Sequence, residues 1–243
     1  YATAFSGFYW AMLLVLFALF FRPVGFDYRS KVANTAWRGT WDWLLFLGSF
    51  VPPVVCGVAF GNLLEGVPFH FDDHLRSFYT GSFWALLNPF AILCGLVSIC
   101  MVVAQGSNYL VLRTEGELQG RAKVCGQISS LLFLALFILA GIWVYMGING
   151  YVITSAIDPN MLPNPMSKTV EVQSGAWFAN YMNYPILWIF PALSVAGALL
   201  SFVCVSKMKA GAAIVFSSLA EIGTIFTPLV AMFPFLMPSS SNP

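Results

Sequence analysis

Apolar and polar positions along this chain fall into blocks far longer than a surface helix or a strand needs. Six stretches are nearly free of charge: Ala2 to Phe21, Trp43 to Leu64, a span inside Ser82 to Leu112, Val124 to Ile148, Tyr184 to Ser206 and Ala210 to Phe235. A bilayer core of roughly 30 Å takes about 20 helical residues at a rise of about 1.5 Å each, which every stretch supplies. Unpaired backbone groups are costly in lipid and barrel strands run to only about 10 residues, so the blocks are predicted to be helices. The expected fold is all-α, a polytopic transmembrane bundle of six helices forming a single transmembrane domain over residues 1–243.

The polar loops give this bundle a direction. Lys and Arg fall in successive loops in a 4, 1, 3, 1, 2, 0 order. Arg22, Arg29, Lys31 and Arg38 lie in the first loop, Arg113, Arg121 and Lys123 in the third, and Lys207 and Lys209 in the fifth. Only Arg76 and Lys168 occupy the alternate loops. Positive loops stay cytoplasmic, so nine of the eleven basic residues are expected inside and both ends outside. With 59% hydrophobic and 9% charged residues, the main solvent is lipid, and a net charge of +1 gives no case for nucleic acid. The apolar run starts at once from Tyr1, without a basic leader or cleavage site. The chain is therefore expected to be an internal piece of a longer protein, with N- and C-terminal helices missing.

Helix breakers refine the picture. Arg22-Pro23 is expected to stop the first helix, Pro52-Pro53 to kink the second near mid-membrane, and Asn88-Pro89 to break the third. Gly57 and Gly61, four apart, allow a neighbouring helix to come close. The segment Gly66 to Gly81, with its run from Phe69 to His74, predicts a short element at the interface. The long loop Asn149 to Asn183 carries turn signals at Asp158-Pro159-Asn160 and Pro163-Asn164-Pro165. Aromatic residues near the helix ends, Trp37, Trp41, Trp43 and Trp143 among them, are read as interfacial anchors.

Few residues offer chemistry. His70 and His74 are the only histidines and both lie in a loop, so no pair of imidazoles can hold a haem at membrane depth. On a helix their spacing would set them beside Asp72 and Asp73 like metal ligands, but a solvated acidic loop is the preferred reading. The five cysteines form no CxxC and are read as small apolar helix residues. Glu221 is the one acid deep within an apolar stretch, where insertion costs about 2.5–3.5 kcal/mol, so it should face protein or water. It reads either as a proton-relay or ligand-binding acid, or as an acid hydrogen-bonded to Ser217, Ser218 or a neighbouring helix. Arg22, Asp27, Arg29 and Lys31 crowd one cytoplasmic edge, as a subunit contact or as a solvated positive loop. Asp42 is placed to cap the second helix. No catalytic triad, phosphate loop or nucleotide fingerprint occurs, so no catalytic residue is assigned.

Longer motifs carry a resemblance. Phe20-Phe21-Arg22-Pro23-Val24-Gly25-Phe26-Asp27-Tyr28-Arg29-Ser30-Lys31 and Trp41-Asp42-Trp43 resemble subunit II of the cytochrome bd-type quinol oxidases. So do Gly57 to Leu64 with Gly66-Val67-Pro68-Phe69, Leu87-Asn88-Pro89-Phe90, Tyr109-Leu110 with Arg113 to Leu118, and Ala231 to Phe235 with Pro238-Ser239-Ser240. The motifs run in order through nearly the whole chain. The resemblance implies a respiratory complex of the bacterial cytoplasmic membrane that oxidises quinol and reduces O2 to water. It implies a partner, subunit I, that ligates haem b and haem d, while subunit II supports that haem site and its proton or oxygen access. In some members subunit II also holds a structural quinone. The family's first helix and a Trp-Asp-Gly-rich segment linked to proton uptake have no counterpart here, and no role for Glu221 follows from the family. Two other readings compete: a proton-coupled secondary transporter with Glu221 as coupling acid, and a purely structural assembly subunit.

Overall fold

The computed structural model describes residues 2–155, 164 and 168–241, so the turn expected at Asp158-Pro159-Asn160, and Pro163 and Pro165 of the next, lie outside the described residues. Among the described residues six helices are long and apolar enough to cross a membrane. They are α2 (Tyr9–Tyr28), α3 (Thr35–Glu65), α4 (Pro89–Arg113), α5 (Gly116–Gly147), α7 (Ile189–Ser206, extended at its start by a 3-10 turn, Pro185–Trp188) and α8 (Ala210–Met232). Two short helices, α1 (Ala2–Gly7) and α6 (Ala179–Asn183), complete the α-helices among the described residues, and 3-10 turns lie at Trp84–Leu86 and Ala176–Phe178. Two antiparallel hairpins stand at one end of the bundle: β1 (Phe69–Phe71) with β2 (Ser77–Tyr79), and β3 (Asn149–Ile153) with β4 (Val170–Ser174). The all-α transmembrane bundle is what the hydropathy blocks predicted. The two ends are distinguished below as the hairpin end and the basic end, the latter holding the turns between α2 and α3, α4 and α5, and α7 and α8.

Several boundaries differ from the sequence-based expectation, each for a local reason. Pro23 does not stop the first spanning helix, which runs on to Tyr28. Proline costs one backbone bond but its fixed φ is helical, and Gly25 seats the last turn against Leu45 and Trp41 of α3. The second helix starts at Thr35 rather than near Trp43, because Asn34 caps it by accepting from the Ala36 amide at 2.9 Å. Asp42 is therefore no cap. Asn88-Pro89 does not break a helix but begins one: Asn88 Oδ1 accepts from the Ala91 amide (2.6 Å) and Pro89 takes the first helical position.

Adjacent helices pack in sequence order, and glycines set the closest crossings. A Cβ on Gly57 would fall 2.5 Å from the Cys94 carbonyl oxygen, and one on Gly61 would fall 2.6 Å from the Ala91 Cα. The GxxxG spacing on α3 thus brings α4 within backbone contact, as small residues do between membrane helices. Gly223 of α8 lies equally close to Ser194 of α7.

The hairpin end holds the largest buried side chains. Leu64, Phe90, Ile148, Tyr151, Trp177 and Met232 form one cluster, with Trp177 only 2% exposed. The polar atoms of these rings meet the last carbonyls of the helices beneath them. Trp177 Nε1 donates to the Leu64 carbonyl (3.0 Å) and the Tyr151 hydroxyl to that of Glu65 (3.3 Å), closing the end of α3. Asn180 Nδ2 donates to the carbonyls of Val230 (2.9 Å) and Phe233 (2.7 Å), and the Tyr181 hydroxyl to that of Thr227 (2.7 Å), closing α8. Burial pushes the Tyr181 hydroxyl up to about 12, so it stays protonated and able to donate. The last four carbonyls of a helix lack partners within it, and these side chains supply those of Leu64, Glu65 and Val230.

Replacing Trp177 with alanine removes both the ring and the cap and is expected to cost about 3–5 kcal/mol. Trp177→Phe keeps most of the volume and should cost only about 1 kcal/mol. Thermal melting of the detergent-solubilised protein measures both, and a Trp177→Phe variant as stable as the parent would show that the Leu64 carbonyl needs no donor.

Candidate functional site

Among the described residues no three or more His, Cys, Asp or Glu side chains come together as metal ligands. His70 and His74 are not on a helix: His70 lies in β1, stacked on Phe78 of β2 with ring centroids 5.7 Å apart, while His74 lies in the turn. Asp72 is occupied by the turn itself. Its Oδ1 accepts from the amides of His74 (3.0 Å) and Arg76 (2.7 Å), and its Oδ2 accepts from Arg76 Nε (2.8 Å). These bonds, the Arg76 amide first, hold the Asp72 carboxyl below the usual carboxylate range. The expected interface element is therefore a β-hairpin closed by an aspartate.

Of the polar residues singled out at the basic end, Arg22, Asp27, Arg29, Lys31 and Asp42, the fold joins two. Arg29 grips Asp42 with both arms, Nε on Oδ1 and Nη2 on Oδ2 (3.1 Å), tying the end of α2 to the second turn of α3. Trp37 Nε1 donates to the Tyr28 carbonyl (2.9 Å), and the Tyr28 and Trp41 rings lie 6.1 Å apart beside the pair. Arg22 instead lays its stem over Gly48, and Arg22 and Asp27 are exposed without an ion pair among the described residues. The exposed Arg29–Asp42 pair adds little to stability, so its use lies in setting the α2–α3 turn.

Glu221 sits half-buried on α8, about midway along it. Eleven residues separate it from Ala210, which places it roughly 16 Å from the basic end. Ser217 and Ser218 do not bond it. Gln105 of α4 takes both: Ser217 donates to Gln105 Oε1, and Gln105 Nε2 donates to Ser218 Oγ (2.8 Å). The carboxylate has no hydrogen-bond or ion-pair partner among the described residues. The Gln105 bridge was not foreseen. Sequence proximity offers its serines to the nearer acid on the same helix, and only the antiparallel register of α4 and α8 brings Gln105 to them.

A second acid escaped the sequence reading. Glu65 ends α3 half-buried, and its Oε2 accepts from Asn88 Nδ2. Asn88 Nδ2 also donates to Asn62 Oδ1 (3.2 Å), while Asn62 Nδ2 donates to the carbonyls of Val58 (2.8 Å) and Leu86 (2.7 Å). One asparagine thus caps α4 and holds the end of α3. The signal lay in Asn62 and Glu65, three apart and so on one helix face, opposite the cap residue of an Asn-Pro pair.

The family model for cytochrome bd terminal oxidase subunit II matches residues 1–242. A "Cytochrome bd-I ubiquinol oxidase subunit 2" of Escherichia coli (strain K12) is 55% identical over 241 residues, 99% of this chain and 64% of the relative. A "Probable cytochrome oxidase subunit 2" of Haemophilus influenzae is 54% identical over 243 residues, all of this chain and 64% of the relative. A "Cytochrome bd ubiquinol oxidase subunit 2" of Bacillus subtilis is 36% identical over 146 residues, 60% of this chain and 42% of that protein. The chain thus spans 64% of the length of the first two relatives. These matches lend nothing to the transporter alternative.

The Asp72 turn gives a pH prediction. Its folded pKa lies below the unfolded value of about 3.9, so its contribution is complete above that value and vanishes as pH falls through the folded one. Exchange protection of the Arg76 amide, followed by hydrogen exchange from neutral pH into acid, should be lost in that range. Asp72→Asn should abolish the step; a step that survives would place its origin elsewhere.

Proposed function

This chain belongs to the cytochrome bd terminal oxidase subunit II family, and from that premise we propose that it serves as the non-haem subunit of a bacterial respiratory quinol oxidase. Quinol and O2 would be the substrates of the whole complex. The match across 1–242 carries this reading. The residues of the chain are consistent with it, because the two histidines lie in the β1–β2 hairpin and no imidazole stands at membrane depth. The side chains present therefore do not fit a haem. Haem b and haem d belong to subunit I, against which this chain would pack.

The orientation is part of the proposal. The turns at the basic end face the cytoplasm and the hairpins face the outside of the cytoplasmic membrane, in keeping with the distribution of Lys and Arg. Much of the lateral surface is built for lipid or a partner: Trp10, Phe17, Phe20 and Phe26 of α2 are all more than half exposed. A structural quinone, where the complex holds one in this subunit, has a candidate resting place for its tail. It is the groove of about 860 Å³ along α4 and α5, lined by Ile99, Val103, Val124, Ile128 and Leu132.

Within this function Glu221 is the acid placed to take up and pass on protons at mid-membrane. The enzyme consumes protons when it reduces O2, and a carboxylate without a fixed partner is free to exchange one. The Arg29–Asp42 pair holds the α2–α3 turn in place on the cytoplasmic side.

Three measurements check the proposal. The purified full-length complex should show haem absorbance that leaves with subunit I, whereas this subunit alone should be colourless. Porphyrin iron retained by the isolated subunit would refute the non-haem assignment. Cysteines introduced at Lys31 and Lys123 should react with impermeant reagents only from the cytoplasmic side. Glu221→Gln should slow turnover by about tenfold, equivalent to ~1.4 kcal/mol on the limiting barrier; unchanged turnover would remove Glu221 from the proton supply.

A further inference from the structure

Polar side chains follow one another inward from the basic end between α4, α5, α7 and α8. Nearest that end, Gln127 Nε2 donates to Ser206 Oγ (2.7 Å). Deeper, Asn108 Nδ2 donates to Ser201 Oγ (2.8 Å). Gln105, one turn further along α4, bridges Ser217 and Ser218, and Glu221 lies one turn beyond Ser217 on α8. The series joins four different helices at successive depths, which scattered buried serines would not do.

Two atoms in it have no partner. Asn108 Oδ1 and Ser130 Oγ are both fully enclosed, on side chains 0% and 3% exposed. Asn108 Oδ1 points at α5, where a Cβ on Gly126 would come within 3.2 Å of it. Ser130 stands one turn along the same face of α5. The antiparallel helices α5 and α7 touch one turn from it, where Gln127 meets Ser206. A buried polar group without a bond costs about 1–3 kcal/mol. Water, which donates two hydrogen bonds, is the ordinary partner of buried oxygens such as these. A metal cation is a poor occupant, because among the described residues no three or more His, Cys, Asp or Glu side chains come together to hold one.

We propose that α4, α5, α7 and α8 enclose a hydrated seam, with Asn108 and Ser130 as its water ligands, which carries protons from the basic end to Glu221. Each transfer breaks one O–H bond and forms another. A seam water accepts a proton from the side of the basic end and passes a different one on, and the Glu221 carboxylate accepts the last and later releases it. The hydroxyls of Ser201 and Ser217 relay in the same way, while the amides of Asn108 and Gln105 hold the waters and hydroxyls in line. The endpoint at Glu221 rests on the proton-supply reading above; the water sites do not.

The test uses the full-length complex in lipid nanodiscs. X-ray radiolysis in isotopically labelled water oxidises side chains that touch bound water, and Val111 and Val205, 1% and 0% exposed, flank the seam. Both should be labelled despite their burial, and labelling should fall several-fold in Asn108→Leu and in the milder Ser130→Ala. Unlabelled valines in the unaltered complex, or labelling indifferent to Ser130→Ala, would overturn the hydrated seam. Proton uptake by the reconstituted complex tests the endpoint. It should slow alike in Glu221→Gln and Gln105→Leu. Slowing in Glu221→Gln alone would leave the acid in place and refute this route to it. A silent Glu221→Gln would refute the endpoint while the labelling result still judged the water sites.

Discussion

A helix that ends at the edge of a membrane must find donors for its last carbonyls, and the hairpin end of this protein is organised around that need. In lipid each unsatisfied backbone group costs several kcal/mol, more than most single contacts return. Trp177, Tyr151, Asn180 and Tyr181 meet carbonyls near the ends of α3 and α8 while burying their rings or stems in the same cluster. Apolar burial and backbone satisfaction are thus achieved by the same side chains. The long segment between α5 and α7 is in this sense part of the bundle, since it closes helices that are remote from it in sequence.

Close packing in the interior has a second consequence. Gly57 and Gly61 let α3 meet α4 at backbone distance, and Gly223 does the same between α8 and α7. At these glycine crossings there is little room for water, so the polar side chains beside them bond one another or the backbone. Ser194 and Thr224 share a hydrogen bond of 2.7 Å across the α7–α8 crossing, and Gln105 serves two serines of α8. Such bonds contribute about 0.6–2 kcal/mol each in a membrane. Their direction also fixes which faces meet, which apolar contacts alone do not.

The architecture was legible in the sequence because a bilayer imposes its thickness on any chain that crosses it. Six helices and their polar turns followed from hydropathy alone. Helix ends were less legible because they are decided by local chemistry: Asn34 outranked Asp42 as a cap, and Pro23 was tolerated where Gly25 could seat the turn on α3. The polar partnerships were the least legible. Glu221 stood out as an acid in an apolar block, but Ser217 and Ser218 turn to Gln105, 112 and 113 residues away along the chain. No periodicity announces a contact of that range. Glu65 was passed over for the opposite reason, since an acid at the end of a hydrophobic block looks like the start of a loop.

The two membrane acids are treated in contrasting ways. Glu65 ends α3, where the helix dipole is unfavourable to a negative charge, and Asn88 compensates by donating to it while capping the favourable start of α4. That arrangement holds the acid in one place and explains it as structure. Glu221 has no such donor within the described residues, although Ser217 and Ser218 lie one turn away and could have turned to it. The fold spends those hydroxyls on Gln105 and leaves the carboxylate free at mid-membrane, where an acid costs about 2.5–3.5 kcal/mol on insertion scales. A cost that neighbouring groups decline to offset is more economically explained by a gain made elsewhere in the assembled complex than by packing. It is this difference in partners, rather than depth alone, that favours Glu221 over Glu65 for the proton-carrying role we propose.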